Sequence, residues 1–319
     1  MNKRSAYINL LLLVVALLLS FFLLSYGEAG LTLSNEVVVW QLRFPKVVVG
    51  FLAGGMLASS GLLLQVYFQN PIAGPDLLGI NAGSCLGVAI AIMGSGFLPP
   101  GLVNLSQPIM AMIGALAVFF ILVLLVQKNI SSISLIILGL LIASFTSSFI
   151  SVLVNMTPSL QVKNFLTWSL GSFQNLTLED LPLFTFLCFI GIISLLLMPK
   201  KLNQFIIGEQ YAKSMGMNVR QFKVMLILVC SFLVATVTAF CGPVGFIGII
   251  APHIARTFIK RSDIRGVMPA AFFVGGILAL FTEFVLIFTS QYSLATNSIL
   301  GLIGAPIIAL YLYKGRRIV

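Results

Sequence analysis

The chain has 319 residues, of which 59% are hydrophobic and only 8% are charged, and its formal net charge is +10. A soluble protein carries about 25% charged residues, so this composition excludes a soluble domain. The basic residues lie between apolar segments, where they indicate membrane orientation rather than nucleic-acid binding. Apolar runs such as residues 10–19 lack the alternation of β-barrel strands. A bundle of membrane-spanning helices is the remaining class.

Ten apolar segments, most of them long enough to cross the hydrocarbon core as a helix, follow one another along the chain. We predict spans at about 7–26, 47–68, 77–95, 108–127, 133–155, 180–198, 221–240, 247–258, 268–289 and 298–313. The predicted fold is an all-α polytopic bundle in which residues 1–319 form one membrane domain. The basic start of the first segment also fits a signal peptide, but its removal would leave an odd number of spans.

The two faces defined by this topology differ in charge. An even number of spans puts both termini on one face, which carries fifteen of the eighteen Lys and Arg residues. The opposite face has only Arg43, Lys46 and Lys163. Because short loops rich in Lys and Arg stay in the cytoplasm, we predict that both termini are cytoplasmic.

The sequence carries no pattern typical of catalysis or of a bound cofactor. It lacks the GxxxxGK[ST] phosphate loop, so ATP that drives transport would be hydrolysed by a separate polypeptide. Its four cysteines are scattered without a CxxC pair, and it has one histidine, so we expect neither disulfides nor a metal site. We predict a protein that is not an enzyme and binds neither a cofactor nor nucleic acid.

Arg43 and Lys46 lie on the sparsely charged face, just before the second predicted span. Two cations in this position run against the orientation rule. They fit a docking point for acidic residues of an extracytoplasmic partner, and equally well a pair of anchors at the membrane interface.

Small residues and helix breakers follow in the second and third spans. Gly54 and Ala58, and then Gly79, Gly83 and Gly87, recur every four residues, which indicates close helix packing. Asn70 and Pro71 begin a break that fits a cytoplasmic turn, although interrupted segments in transporters also border the substrate path. A second break, at residues 242–245, precedes the unusually short span 247–258.

The fifth span carries a polar stripe. The spacing of its members, 0, 3, 4, 7 and 11, places all of them on one helical face. The stripe consists of Ser144, Ser147, Ser148, Ser151 and Asn155. A polar stripe in a lipid-embedded helix faces a pore or another helix, so we predict that it either lines a translocation path or packs on a neighbour.

The segment 208–216 lies in the longest predicted cytoplasmic loop. Glu209 and Lys213 have the i, i+4 spacing that favours a short helix, and Gly216 provides its stop. Such a helix suits a groove on a cytoplasmic partner, or is a solvated loop helix.

Three further residues are functional candidates. His253 and Arg256 lie close together near the end of the short eighth span, where they either contact a partner or pack the helix end. Glu283 lies inside the ninth span, where a carboxylate is costly and by default functional. Alternatively, Glu283 lies near the outer end of that span in a hydrogen-bonded state.

Ordered motifs over nearly the whole chain resemble those of one transporter family. They occupy residues 42–46, 55–61 with Gln65, 69–73, 78–80, 168–172, 242–248, 252–256 and 304–306. Together they resemble the FecCD family of ABC-transporter permeases, which import iron–siderophores, haem and cobalamin. The resemblance implies a ten-span subunit of a bacterial cytoplasmic membrane that pairs with an identical or similar copy, with the pathway between the two.

The resemblance also implies other partners. Two cytoplasmic ATPase subunits would hold ATP and Mg, and an extracytoplasmic binding protein would deliver the cargo. Arg43 and Lys46 match basic residues that dock this binding protein. The family's helix that fits the ATPase groove is matched by Gly208, Glu209, Ala212, Lys213 and Gly216.

The chain departs from the family pattern near its outer face. Lys46 replaces an Arg, Glu283 stands where Asp is usual, and residues 293–295 replace the family's E-L-P. We expect this end to meet a different partner or cargo. Iron–siderophore is the expected cargo, with haem or cobalamin as alternatives. A secondary transporter driven by an ion gradient through Glu283 is the competing hypothesis.

Overall fold

The computed structural model describes residues 3–27, 30–31, 37–94, 106–128, 130–174, 176–260, 263–289 and 294–315. Within these ranges the helices are α1 (Lys3–Ser25), α2 (Phe44–Tyr67), α3 (Ile80–Met93), α4 (Gln107–Gln127), α5 (Ser132–Met156), α6 (Ser159–Ser169), α7 (Leu181–Leu196), α8 (Pro199–Phe205), α9 (Glu209–Ser214), α10 (Val219–Cys241), α11 (Ile247–Ile259), α12 (Ile264–Phe288) and α13 (Thr296–Gly315). A π-helix (Val38–Arg43) runs into α2, and a 3-10 turn (Pro75–Leu78) precedes α3. Two short strands, β1 (Tyr26–Gly27) and β2 (Gly30–Leu31), pair antiparallel.

Each of the ten predicted spans coincides with a helix. Six helical segments are long and apolar enough to cross a membrane unaided, namely α1, α2 with its preceding π-helix, α4, α5, α10 and α12. Helices α7 and α8 form a seventh unit, which is bent by 49°. The remaining three predicted spans, the third, eighth and tenth, are the shorter apolar helices α3, α11 and α13. The predicted class, an all-α polytopic bundle, is confirmed.

The helices differ from the predicted spans in their starting points. The Arg43–Lys46 motif does not precede the second span but lies inside the helical run Val38–Tyr67. Pro45, which donates no backbone N–H, lies in the first turn of α2, where the π-helix passes into the α-helix. Helix α3 begins only at Ile80, because Gly79 has a left-handed backbone with φ of 72°.

Helix α2 is the centre of the bundle and packs against α12, α11, α10 and α7. Its glycines allow backbones to meet: a Cβ atom on Gly54 would clash with the carbonyl oxygen of Gly275, and one on Gly61 with that of Gly248. Gly83 on α3 faces Gly114 on α4 in the same way. The predicted packing role of the small residues is confirmed at these positions.

The bundle has two ends, which we name by one residue each. At the Arg43 end, the Arg43 guanidinium donates to the carbonyl oxygen of Leu24 at 3.0 Å. At the other end of α2, which we call the His253 end, the Tyr67 ring stacks on Phe205 with centroids 6.3 Å apart. Helix α9 belongs to the His253 end because it follows α8 and pairs with the start of α10.

Candidate functional sites

A hydrogen-bonded network joins three elements at the Arg43 end. The Lys46 ammonium donates to Gln174 Oε1 at 3.2 Å, and the Gln174 amide donates to Glu283 Oε2 at 2.9 Å. Thr296 Oγ1 donates to Glu283 Oε1 at 3.4 Å, which adds α13 to the network. Glu283 is thus hydrogen-bonded near the end of its helix, as one of the alternatives predicted, and its functional role stays a prediction.

The predicted docking pair divides into two environments. Arg43 is only 8% exposed, so its guanidinium is held mainly within the bundle, whereas Lys46 is half-buried. Both border an open cavity of about 300 Å³ together with Gln174 and Glu283. A charged partner therefore reaches Lys46 more directly than Arg43. Ser293, part of the predicted departure from the family, lies outside the described residues.

The polar stripe faces away from the bundle. All five members, Ser144, Ser147, Ser148, Ser151 and Asn155, are exposed. Ser148 Oγ donates to the carbonyl oxygen of Ser144 at 3.0 Å, and Asn155 Nδ2 to that of Ser151 at 2.8 Å. Within one copy of the chain, the stripe is thus an uncovered polar surface rather than a helix contact.

Helix α6, which the sequence did not predict, continues this surface. An open groove of about 650 Å³ runs between the last turns of α5 and α6, and Lys163 is one of its lining residues. Lys163 is exposed.

Candidate residues of the first chain break and of α11 meet at the His253 end. His253 Nε2 lies 2.6 Å from the carbonyl oxygen of Pro71. Arg256 donates to Gln65 Oε1 at 2.6 Å, and Gln65 Nε2 donates to the carbonyl oxygen of Ile249 at 3.2 Å. Asn70 closes its own turn by accepting a bond from the Ile72 N–H at 3.1 Å. These contacts fasten the break after α2 to α11.

Helix α9 is the predicted short helix, and its predicted ion pair forms. Glu209 Oε1 lies 3.1 Å from Lys213 Nζ, and Glu209 Oε2 lies 2.7 Å from Lys223 Nζ in α10. Gly208 and Gly216 bound the helix with φ of 135° and 80°, conformations that favour glycine. Ala212 is completely buried, so it seats the helix on the bundle instead of contacting a partner.

Three apolar side chains on and around α9 are exposed. Ile207 is 62%, Tyr211 47% and Met215 50% exposed. The four-residue spacing places Tyr211 and Met215 on one face at the end of α9, whereas Ile207 precedes Gly208, whose φ of 135° is not helical. The sequence-based interpretation of 208–216 did not identify these side chains as a possible contact surface. An apolar face on a helix outside the predicted spans is typical of a protein contact.

The ion pairs of Glu209 predict a pH dependence. Its pKa is lowered from the ordinary value of 4.5, first by the hydrogen bond from Lys223. Because the folded-state pKa is the lower one, the pairs stabilise α9 above pH 4.5, and this contribution is lost as the pH falls through the folded-state pKa.

We expect the difference in melting temperature between wild type and Glu209→Gln to be larger at neutral pH than near pH 3. The measurement is thermal unfolding in detergent. Glu179→Gln, an exposed acid, is the control, and an equal difference at both pH values would contradict the prediction.

A polar cluster inside the bundle was missed by the sequence interpretation. Asn81 Nδ2 donates to Asp76 Oδ1 at 2.5 Å, and Thr238 Oγ1 donates to Asn81 Oδ1 at 2.6 Å. Nearby, Gly245 N–H donates to Asn297 Oδ1 at 3.0 Å. The cluster joins the two broken segments of the chain to α10 and α13. Asp76, an acid within an otherwise apolar break, was the available signal.

Metal binding finds no support in the part of the chain that the structure describes. No group of three or more His, Cys, Asp or Glu side chains there is arranged to hold an ion. Cys85, Cys188, Cys230 and Cys241 are free thiols, three of them buried.

The bundle of long apolar helices defines a polytopic membrane protein. The chain belongs to the FecCD transport family, whose profile matches residues 7–314. Members of this family are transport subunits and not enzymes, and they bind no cofactor themselves. The predicted family and class of activity are therefore confirmed.

Individual relatives agree with this assignment. The chain is 29% identical to the vitamin B12 import system permease protein BtuC of Klebsiella pneumoniae, over 99% of this chain and 95% of that protein. It is 33% identical to the hemin transport system permease protein HmuU of Yersinia pestis, over 81% of this chain and 78% of that one. A solved structure described as an inward-facing conformation of a metal-chelate type ABC transporter matches with a TM-score of 0.86 and 25% identity, over 97% of this chain and 99% of the solved chain.

Proposed function

We propose that this chain is the permease subunit of an ABC importer that carries iron–siderophore complexes across a bacterial cytoplasmic membrane. It works with a second permease copy, two cytoplasmic ATPase subunits and an extracytoplasmic binding protein. The B12 and hemin relatives make cobalamin and haem the alternative cargoes, whereas the metal-chelate transporter favours a chelate.

The exposed polar stripe on α5 is the observation that carries the proposal. Hydroxyl and amide groups facing lipid tails are unfavourable because hydrocarbon offers them no hydrogen bonds. Ser147, Ser151 and Asn155 are nevertheless exposed. A second copy that faces this surface across a water-filled path would satisfy all the stripe residues.

The two ends of the bundle suit the two other partners. Helix α9 and its C-terminal turn offer the exposed apolar side chains of Tyr211 and Met215, which fit a groove on an ATPase subunit. The Arg43 end offers Lys46 to acidic residues of the binding protein. In this mechanism, closure of the ATPases moves the α9 helices of both copies together and opens the path inward.

The docking role of Lys46 predicts an effect that depends on salt. Lys46→Glu should weaken binding of the loaded binding protein by about 10-fold at low ionic strength, since a steering attraction becomes a repulsion. The loss should shrink as salt screens the charges. Surface plasmon resonance on the reconstituted importer measures both effects, with Lys128→Glu as the control. An affinity loss that is the same at all salt concentrations would contradict the docking role.

Uptake into proteoliposomes identifies the energy source of transport. It therefore distinguishes the proposed ABC importer from a transporter driven by an ion gradient through Glu283. The expected result is uptake of a ferric siderophore that requires ATP and both partner proteins, with no uptake driven by a proton or sodium gradient. Glu283→Gln should keep ATP-driven uptake within about twofold, because the glutamine oxygen can still accept from Gln174 while its NH2 group can donate to the Thr296 hydroxyl. Gradient-driven uptake that Glu283→Gln abolishes would establish the competing function.

A further inference from the structure

An apolar crevice opens at the His253 end between the bent pair α7–α8 and α12. Its volume is about 320 Å³, and Leu195, Leu196, Met268, Phe272 and Phe273 supply most of its lining. Leu196 is 72% exposed, so the crevice opens sideways from the bundle. Nothing polar inside it would suit a hydrophilic ligand, since Ser59 already donates to the carbonyl oxygen of Gly55 at 2.8 Å.

One cation, Arg265, lines this crevice and is exposed. Lys200 and Lys201 directly follow Pro199, another lining residue, and are exposed as well; the Lys201 ammonium lies 3.8 Å from Met225 Sδ of α10. An apolar crevice with a cation at its opening is complementary to a phospholipid that has apolar acyl chains and a negatively charged headgroup.

A hydrogen-bonded link lies beside Arg265, between α8 and α12. Asn203 Nδ2 donates to Asp263 Oδ1 at 2.7 Å, and the Ile264 N–H donates to Asn203 Oδ1 at 2.9 Å. Helix α8 is thereby joined to the start of α12. Asp263 is the acidic group at this rim, and it is already engaged by Asn203 and by the backbone N–H of Arg265 at 3.0 Å. The rim remains positive overall.

We propose that this crevice binds an anionic phospholipid, with one acyl chain between α7 and α12 and the phosphate at Arg265 and Lys200. The exposed apolar side chains beside it, Phe189 and Ile193 on α7, support a lipid-facing surface rather than a protein interface. Basic pockets between membrane helices bind such headgroups through their charge. The site is independent of the transported cargo.

Native mass spectrometry of the full chain in detergent tests this proposal, with dioleoylphosphatidylglycerol and dioleoylphosphatidylcholine as competing probes. We expect at least 10-fold preferential retention of phosphatidylglycerol. The double variant Arg265→Gln/Lys200→Gln should reduce this preference to within about twofold. The matched control Lys128→Gln/Arg220→Gln removes two exposed cations that neither line the crevice nor adjoin a lining residue, and it should leave the preference unchanged.

A second variant addresses the crevice itself. Leu196→Trp should block the opening without altering any charge, and because Leu196 is largely exposed it should not disturb the core. We expect it to lower phosphatidylglycerol retention by at least fivefold. Equal retention of the two lipids by the wild type would overturn the proposal. The proposal would also be overturned if Leu196→Trp retained as much phosphatidylglycerol as the wild type. The same holds if Lys128→Gln/Arg220→Gln lost the lipid preference as fully as Arg265→Gln/Lys200→Gln.

Discussion

Replacing Gly61 by alanine is expected to lower the free energy of unfolding by at least about 2 kcal/mol, because the new methyl group has no space. Its Cβ would collide with the carbonyl oxygen of Gly248, a backbone atom that cannot rotate away. Helices α2 and α11 would have to separate, and with them the contacts of Gln65 with Arg256 and Ile249. Thermal unfolding in detergent, followed by the fraction of monodisperse protein, measures the loss.

Gly50→Ala is the matched control for this prediction. It lies on the same helix, but its added Cβ would have its nearest neighbour, a Phe173 ring carbon, at 3.7 Å, an ordinary contact distance. We expect Gly50→Ala to unfold within a few degrees of the wild type. If both variants lost the same stability, contact with Gly248 would not be the cause, and the predicted role of Gly61 would be wrong, because alanine by itself favours a helix more than glycine does.

The double substitution Tyr211→Ala/Met215→Ala is expected to reduce ATP-driven uptake by more than 10-fold. Under the proposed function these side chains are the anchors for the ATPase, and removing a buried aromatic anchor from an interface costs about 2 kcal/mol or more. In the isolated chain both are about half exposed, so folding should be unaffected. Uptake and copurification of the ATPase with the permease are the two measurements.

Gln210→Ala serves as the control for this variant. Gln210 is exposed on the same short helix but points about 100° away from Tyr211. Normal copurification of the ATPase with the Tyr211→Ala/Met215→Ala variant would show that the apolar face is not the contact. A melting temperature well below that of the wild type would show that these side chains support the fold instead.

The membrane fold could be predicted from the sequence because lipid leaves few alternatives. Each backbone group must be satisfied within its own helix, so apolar run length was nearly sufficient to locate all ten spans. Helix starts were less predictable. The run into α2 begins at Val38 because the π-helix extends it, and α3 begins late because of the left-handed Gly79. Helix α6 mixes polar and apolar residues, so its sequence resembles that of a loop and the helix was not predicted.

The functional surfaces were predictable where their residues are close in sequence. The α5 stripe and the Glu209–Lys213 pair follow from helical spacing alone. The network of Lys46, Gln174 and Glu283 does not, because its members are more than 100 residues apart and no local pattern connects them. The burial of Arg43 could not be predicted from the sequence either, because its guanidinium is hydrogen-bonded to the carbonyl oxygen of Leu24 at the end of α1.

The hydrogen bonds along α5 determine what the stripe presents to its surroundings. Ser148 gives its proton to the backbone of Ser144, and Asn155 engages the backbone of Ser151, so their oxygens remain as outward acceptors. A water molecule or a hydroxyl-bearing solute can donate to these oxygens and leave again without breaking an ion pair. Under the proposed function, the stripe therefore forms a hydrated and uncharged wall, along which cargoes of differing shape are retained only briefly.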